Sequence, residues 1–178
     1  MALLATLSPV MAPATVAAQN APIVEIAAGA TLLRNRNVFE GNRSGWLLAS
    51  GWRFAEHLGI GLEVGRNDSE STLDFLTART ETGAAMAGPR VFWAAGPIGT
   101  FAQVLAGAIR RNVELSAIGL DSTGTFASTH RAISVGGGID VPIVDRIGLR
   151  ASYDLRRVFV AEPYSEHRLQ IGAVYSLR

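Results

Sequence analysis

Polar and apolar residues alternate with a period of two along most of the chain. The clearest case runs from Ala132 to Arg157, AISVGGGIDVPIVDRIGLRASYDLRR. Ile133, Val135, Ile139 and Val141 share one face of a strand; Ser134, Gly136, Gly138 and Asp140 share the other. After a tight turn, Ile147, Leu149, Ala151, Tyr153 and Leu155 alternate with Gly148, Arg150, Ser152, Asp154 and Arg156. Successive side chains point to opposite faces of a strand, so each segment has one apolar face and one face of small and charged groups. Each is about nine to eleven residues long, the length at which a tilted strand crosses a bilayer.

The same pattern predicts strands at Ile23–Leu33, Gly45–Arg53, Leu58–Arg66, Thr82–Trp93, Ile98–Arg110 and Glu166–Leu177, which brings the total to eight. Short turns fall at Phe54–His57, Ala94–Pro97 and Pro142–Arg146. Longer polar stretches, read as loops, fall at Arg34–Arg43, Asn67–Arg79, Arg111–Thr125 and Val158–Ser165. Pro89 predicts a bulge or bend in the fourth strand, because proline lacks the amide proton that a central strand needs. The fifth strand is apolar on both sides; Gln103 assigns the face of Phe101, Leu105 and Ile109 to the interior. Gly136–Gly138 precedes no helix and is therefore no phosphate loop; it predicts tight coiling or room for a bulky interior neighbour.

Even strand number with alternating long and short connections is the layout of an all-β, eight-stranded antiparallel up-and-down transmembrane β-barrel. Period two alone does not say which face is inside, and a soluble exported barrel holding an apolar ligand is the inverted alternative. Bilayer-length apolar rows, and polar rows that mix charges with Gly, Ser and Ala as a narrow lumen requires, favour the membrane form.

Composition narrows this further. At 178 residues the chain has one or at most two domains. After the N-terminus no apolar run is long enough for a helical span. Cysteine is absent, which removes disulfides, zinc–thiolate sites and cysteine nucleophiles. All 16 basic residues are Arg, set against 15 acids, so the net charge of +1 gives no bulk attraction for nucleic acid. Residues 1–18 read as a secretory signal peptide, uncharged and rich in Ala and Leu, with small residues around Val16-Ala17-Ala18 and cleavage before Gln19. It departs from the usual signal in having no Lys or Arg near Met1. Residues 19–178 then form the barrel domain.

Three stretches together carry a family resemblance: GPRVFWAAGPIGTFAQVLAGA from Gly88, SVGGGIDVPIVDRIGLRASYDLR from Ser134, and the final LQIGAVYSL. They resemble the small outer-membrane β-barrel domain of Gram-negative-type bacteria, the OmpA/OmpX-like eight-stranded class. The resemblance implies residence in the cell outer membrane, delivery by the barrel assembly machinery and contact with outer-membrane lipid. The chain departs from the family at its end, where Leu177-Arg178 stands in place of the usual terminal aromatic residue.

Two constellations are candidates for function. Glu25, Glu63, Asp140, Arg150, Asp154 and Arg168, with Arg90, fall on the polar faces and predict a lumen charge network that plugs the barrel. Arg34, Arg36, Arg43, Arg66, Arg110, Arg111, Arg131, Arg156 and Arg157 gather at the strand ends facing the long connections. Guanidinium binds phosphate bidentately, so these predict contact with phosphorylated glycolipid, lipopolysaccharide being the expected partner. The bland reading is snorkelling at a membrane boundary or pairing with loop acids. The leading expectation is a non-enzymatic structural or surface-interaction protein needing no cofactor or metal. The enzymatic alternative is a lipid-A hydrolase using rim residues His130, His167, Ser128 and Glu166, although His130 lacks the following Ser of a His-x-Ser motif.

Overall fold

The computed structural model describes residues 24–35, 42–73, 76–117 and 123–177. The signal-peptide segment and Arg36 lie outside the described residues. Eight strands follow in order: β1 (Val24–Asn35), β2 (Arg43–Arg53), β3 (Leu58–Leu73), β4 (Leu76–Ala95), β5 (Ile98–Ala117), β6 (Thr123–Val144), β7 (Ile147–Phe159) and β8 (Tyr164–Leu177). Each pairs antiparallel with the next, and β1 pairs with β8 from Val24↔Leu177 to Asn35↔Glu166. The result is a closed barrel. Closure leaves no edge of unpaired amides, the condition for strands in hydrocarbon.

Inside and outside follow the parity of the sequence. Ile26, Leu32, Leu62, Val64, Val135, Leu149, Leu155 and Ile171 all face outward, each at least 40 % exposed. Glu63, Arg90, Gln103, Arg150, Asp154 and Arg168 are at most 4 % exposed. A soluble barrel would place these two sets the other way round, so this arrangement overturns the soluble apolar-ligand alternative. The apolar band is about nine residues deep on most strands, which at ~3.3 Å per residue and a ~40° tilt gives ~23 Å, close to the band of an outer-membrane barrel. Trp52, Phe54, Trp93 and Tyr175 mark its turn-side edge.

The three short connections are as expected. Phe54 and Ala55 both donate to the Leu58 carbonyl at 3.1 Å, and the ring of His57 lies 3.1 Å from the Phe92 carbonyl, tying the first turn to β4. Gly96 turns the second with φ of 64°, a left-handed conformation suited to glycine. The glycine run of β6 makes room as expected: a Cβ on Gly138 would stand 2.8 Å from the Phe101 ring, and one on Gly136 would collide with the Asp154 carboxylate.

Two expectations are corrected. The polar stretches 67–79 and 111–125 are not simple loops. β3 and β4 stay paired to Leu73↔Leu76, and β5 and β6 to Ser116↔Thr123. These hairpins run beyond the apolar band into water, where both faces of a strand can be polar, and there Glu70 stands opposite Arg79 and Arg79 opposite Glu114. Pro89 makes no bulge. The β4–β5 ladder omits Gly88 and Pro89 yet resumes in the same register, from Ala87↔Ala106 to Arg90↔Gln103. The register shift lies instead between Pro142 and Val144, beside the third turn, where a lost ladder bond is exposed to solvent.

The exterior predicts a depth-dependent penalty for charge. Ile171→Arg, near the middle of the band, should destabilise the folded barrel by ~2–4 kcal/mol, and Leu155→Arg at its rim by ~1 kcal/mol or less. Urea titration of the protein in lipid vesicles measures both; equal penalties would contradict the membrane depth assigned to the two sites.

Candidate functional site: a charged lumen and an arginine collar

The turn-side half of the lumen holds a continuous polar network. All seven residues singled out for it from the sequence point inward and meet there. Arg90 from β4 and Arg150 from β7 both donate to Glu25 Oε1 on β1, each at 2.7 Å. Arg150 also grips Asp140 of β6 through Nε and Nη2, both at 2.7 Å. Arg168 on β8 bonds Asp154 Oδ2 at 2.8 Å and Glu63 of β3. Four carboxylates thus face three guanidiniums, with Arg53 at the mouth. Such charges need partners on every side, because an unpaired ion in this interior is far costlier than a neutral group.

Two further residues complete the network. Gln103 of β5 accepts from Arg90 Nε and Nη2 at 2.9 and 2.6 Å, and donates to Glu63 at 2.7 Å and Asp154 at 3.1 Å. It joins the Arg90 cluster to the Arg168 cluster. Its position on the interior face was legible in the sequence; its role as the link was not, because that depends on which strands meet across the lumen. The Phe101 ring lies against two guanidiniums, its centroid 4.5 Å from Arg90 and 4.6 Å from Arg150. Below the network a cavity of about 220 Å³ opens at the turn-side mouth, lined by Glu25, Arg53, Asp140 and Arg146 among others. Above it sit apolar side chains, including Met86, Leu105, Ile109 and Val158.

The eight described strand-end arginines divide by parity. Arg43 and Arg156 are 0 % and 1 % exposed inside the lumen, and the partly buried Arg111 faces inward too, which corrects their assignment to a glycolipid surface. Arg43 bonds Glu166 at 2.6 Å and Thr82 at 3.1 Å. Arg111 reaches the Tyr164 hydroxyl at 2.9 Å. The physical reason is that β2, β5 and β7 keep their alternation through these positions, so every second arginine turns in.

Arg34, Arg66, Arg110, Arg131 and Arg157 point outward at the upper edge of the apolar band. Arg34 stands opposite His167, and Arg157 opposite Ser165, two positions along from His167. Arg157 is likewise diagonal to Arg131, and Arg131 to Arg110. The arc therefore crosses β5, β6, β7, β8 and β1 in succession. Arg66, on β3, differs: it is held by Asp68 at 3.1 Å and Glu81 at 2.9 Å. Arg110 and Arg157 meet neutral groups, Asn112 at 3.4 Å and Ser165 at 3.1 Å.

The residues of the enzymatic alternative are split between faces. Ser128 and His130 share the inward parity of Ala132 and Ser134, and Glu166 is fully buried inside. His167 faces outward, its Nδ1 2.5 Å from the Tyr153 hydroxyl. No common point is reached by all four.

No family model and no curated protein matches this chain. Among solved structures, the attachment invasion locus protein Ail of Yersinia pestis aligns with TM-score 0.60 at 14% identity, over 85% of this chain and 95% of that one. Neisserial surface protein A aligns with TM-score 0.57 at 14% identity, over 86% and 96%. The N-terminal β-barrel domain of Pseudomonas aeruginosa OprF aligns with TM-score 0.54 at 16% identity, over 85% and 97%. Identities this low establish the architecture, and they establish it over nearly the whole of each neighbour. In fold, the chain is a small outer-membrane β-barrel of the closed, eight-stranded up-and-down class.

Proposed function

We propose that this chain is a non-conducting barrel of the outer membrane whose arginine collar holds phosphorylated lipid of the outer leaflet. The observation that carries the reading is the outward arc of Arg110, Arg131 and Arg157. These three arginines stand on adjacent strands, directly above the apolar band, and no described carboxylate pairs with them. Lipid phosphates lie at that depth, and a guanidinium presents two parallel donors to a phosphate. Snorkelling alone would place single arginines at the boundary; it does not call for three on neighbouring strands. The lumen supports the other half of the reading, since ion-paired side chains fill it from wall to wall. Access to lipid from the side and a blocked path through the centre fit a structural or surface-contact protein.

Replacing Arg110, Arg131 and Arg157 together with Gln should strip most of the glycolipid that accompanies the protein through detergent purification, read as phosphate per barrel. Arg111→Gln, next to Arg110 on β5 but on the inner face, should leave that ratio unchanged. Equal retention by wild type and the triple variant would remove the collar from the proposal. The sealed lumen has an energetic signature as well. Asp154→Ala leaves Arg168 short of a partner and should cost ~3–5 kcal/mol, the usual penalty for breaking one side of a buried pair. Adding Arg168→Met to that variant should recover part of the loss. Wild-type protein in planar bilayers should give no steady conductance, and regular single-channel steps would contradict the seal.

A further inference from the structure

The outer surface of the barrel carries an apolar groove of about 590 Å³ in the middle of the membrane band. Its floor is formed by Ala85 and Ala87 of β4 and Ala106 of β5, and its wall by Leu48 of β2 with Leu62 and Val64 of β3. On the far side Ile133 of β6, the ladder partner of Ala106, stands out from the surface. The groove runs up to the collar. Gly83, the next outward position above Ala85, is the ladder partner of Arg110. Apart from chain neighbours, the nearest atom to a Cβ built there is the Arg110 carbonyl oxygen at 4.0 Å, so no side chain closes the upper end.

The register fixes what lies above this floor. Ala28, Leu48, Val64, Ala85, Ala108 and Arg131 are successive ladder partners. That rung starts in mid-band on β1 and ends at the rim on β6, so the strands lean across the membrane normal. At a tilt of ~40°, a point ~10 Å beneath Arg110 lies ~8 Å down β5 and ~6 Å across toward β4, which is beside Ala85. Ala106 lies likewise beneath Arg131. Two collar arginines therefore overhang the alanine floor.

We propose, on the footing of the collar reading, that this groove seats one acyl chain of the phosphorylated lipid whose phosphate Arg110 and Arg131 hold. Lipid tails are as apolar as the groove, so burial alone selects nothing. The tether does. A phosphate held at the rim keeps its own chain over the groove at high effective concentration. The chain then gains dispersion contacts from the floor and the wall together, which a flat lipid-facing surface does not offer. A second copy of the protein fits the groove less well, because a two-fold contact there would bring Arg110 and Arg131 of both copies together, like charge against like.

The full chain, freed of lipid by detergent exchange, should bind one diacyl phosphatidic acid per barrel, counted by native mass spectrometry. Ala87→Phe with Ala106→Phe fills the groove and leaves every arginine in place. It should weaken that binding several-fold while keeping the heat-shifted gel band of a folded barrel. Ala151→Phe, outward on β7 and away from the groove, should bind as wild type does. Unchanged binding by the filled-groove variant, with binding lost in the Gln triple variant of the collar, would overturn the groove and leave the collar standing. Equal binding by wild type and that triple variant would overturn both. The chain has no cysteine, so Ala87→Cys also tests for a second copy. It should stay monomeric when oxidised in vesicles; efficient disulfide-linked dimers would assign the groove to a second copy and overturn the acyl-chain site.

Discussion

An unpaired peptide group in hydrocarbon costs several kcal/mol, and every other feature of this protein follows from avoiding that cost. The β1–β8 ladder, unbroken from Val24↔Leu177 to Asn35↔Glu166, closes the sheet and leaves no edge. Closure with eight strands fixes an interior just wide enough for side chains to fill. Lipid then claims one face of every strand for apolar groups, and the alternation delivers each intervening residue to the interior. The charges are inside because parity leaves them nowhere else to go. Once there, they must be paired.

The lumen shows how that pairing is met by few residues. Arg150 holds Glu25 and Asp140 together, Arg168 holds Asp154 and Glu63, and the neutral amide of Gln103 joins the two groups by donating at one end and accepting at the other. Phe101 lies against both like-charged guanidiniums, Arg90 and Arg150, and Glu25 bridges them. A glycine at position 138 yields the space that this ring occupies. The small residues of the polar rows are thus the complement of the large ones, and the mixture of Gly, Ser and charge in the sequence is the imprint of a packed polar core.

The strand order, the three short turns, the inward set of seven charges and the interior face of β5 were all legible, because each depends on local alternation. What was not legible depends on where strands end or what they meet. The outer hairpins read as loops, since residues such as Asp68, Ser69 and Glu70 lack an apolar face; above the membrane a strand needs none. Underestimating β5 hid the parity of Arg111, starting β2 at Gly45 hid that of Arg43, and treating the end of β7 as a rim hid that of Arg156. Pro89 read as a bulge because sequence does not reveal that the ladder can omit two pairs and keep its register. Gln103 read as a marker of the interior, but its three partners, Glu63, Arg90 and Asp154, come from β3, β4 and β7.

The neighbouring pairs Arg110–Arg111 and Arg156–Arg157 bind the two halves of the molecule into one constraint. In each pair one arginine faces outward at the rim of the apolar band and the other faces the lumen, though they differ by a single position. A one-residue slip of β7 would carry Arg157 inward beside Glu166 and turn Arg156, Asp154 and Arg150 out into hydrocarbon. The lumen network forbids this, since Asp154 and Arg150 each have fixed partners on other strands. The position of the collar is therefore set from within: the ion pairs that fill the lumen network also determine which arginines reach the outer surface, and at what depth.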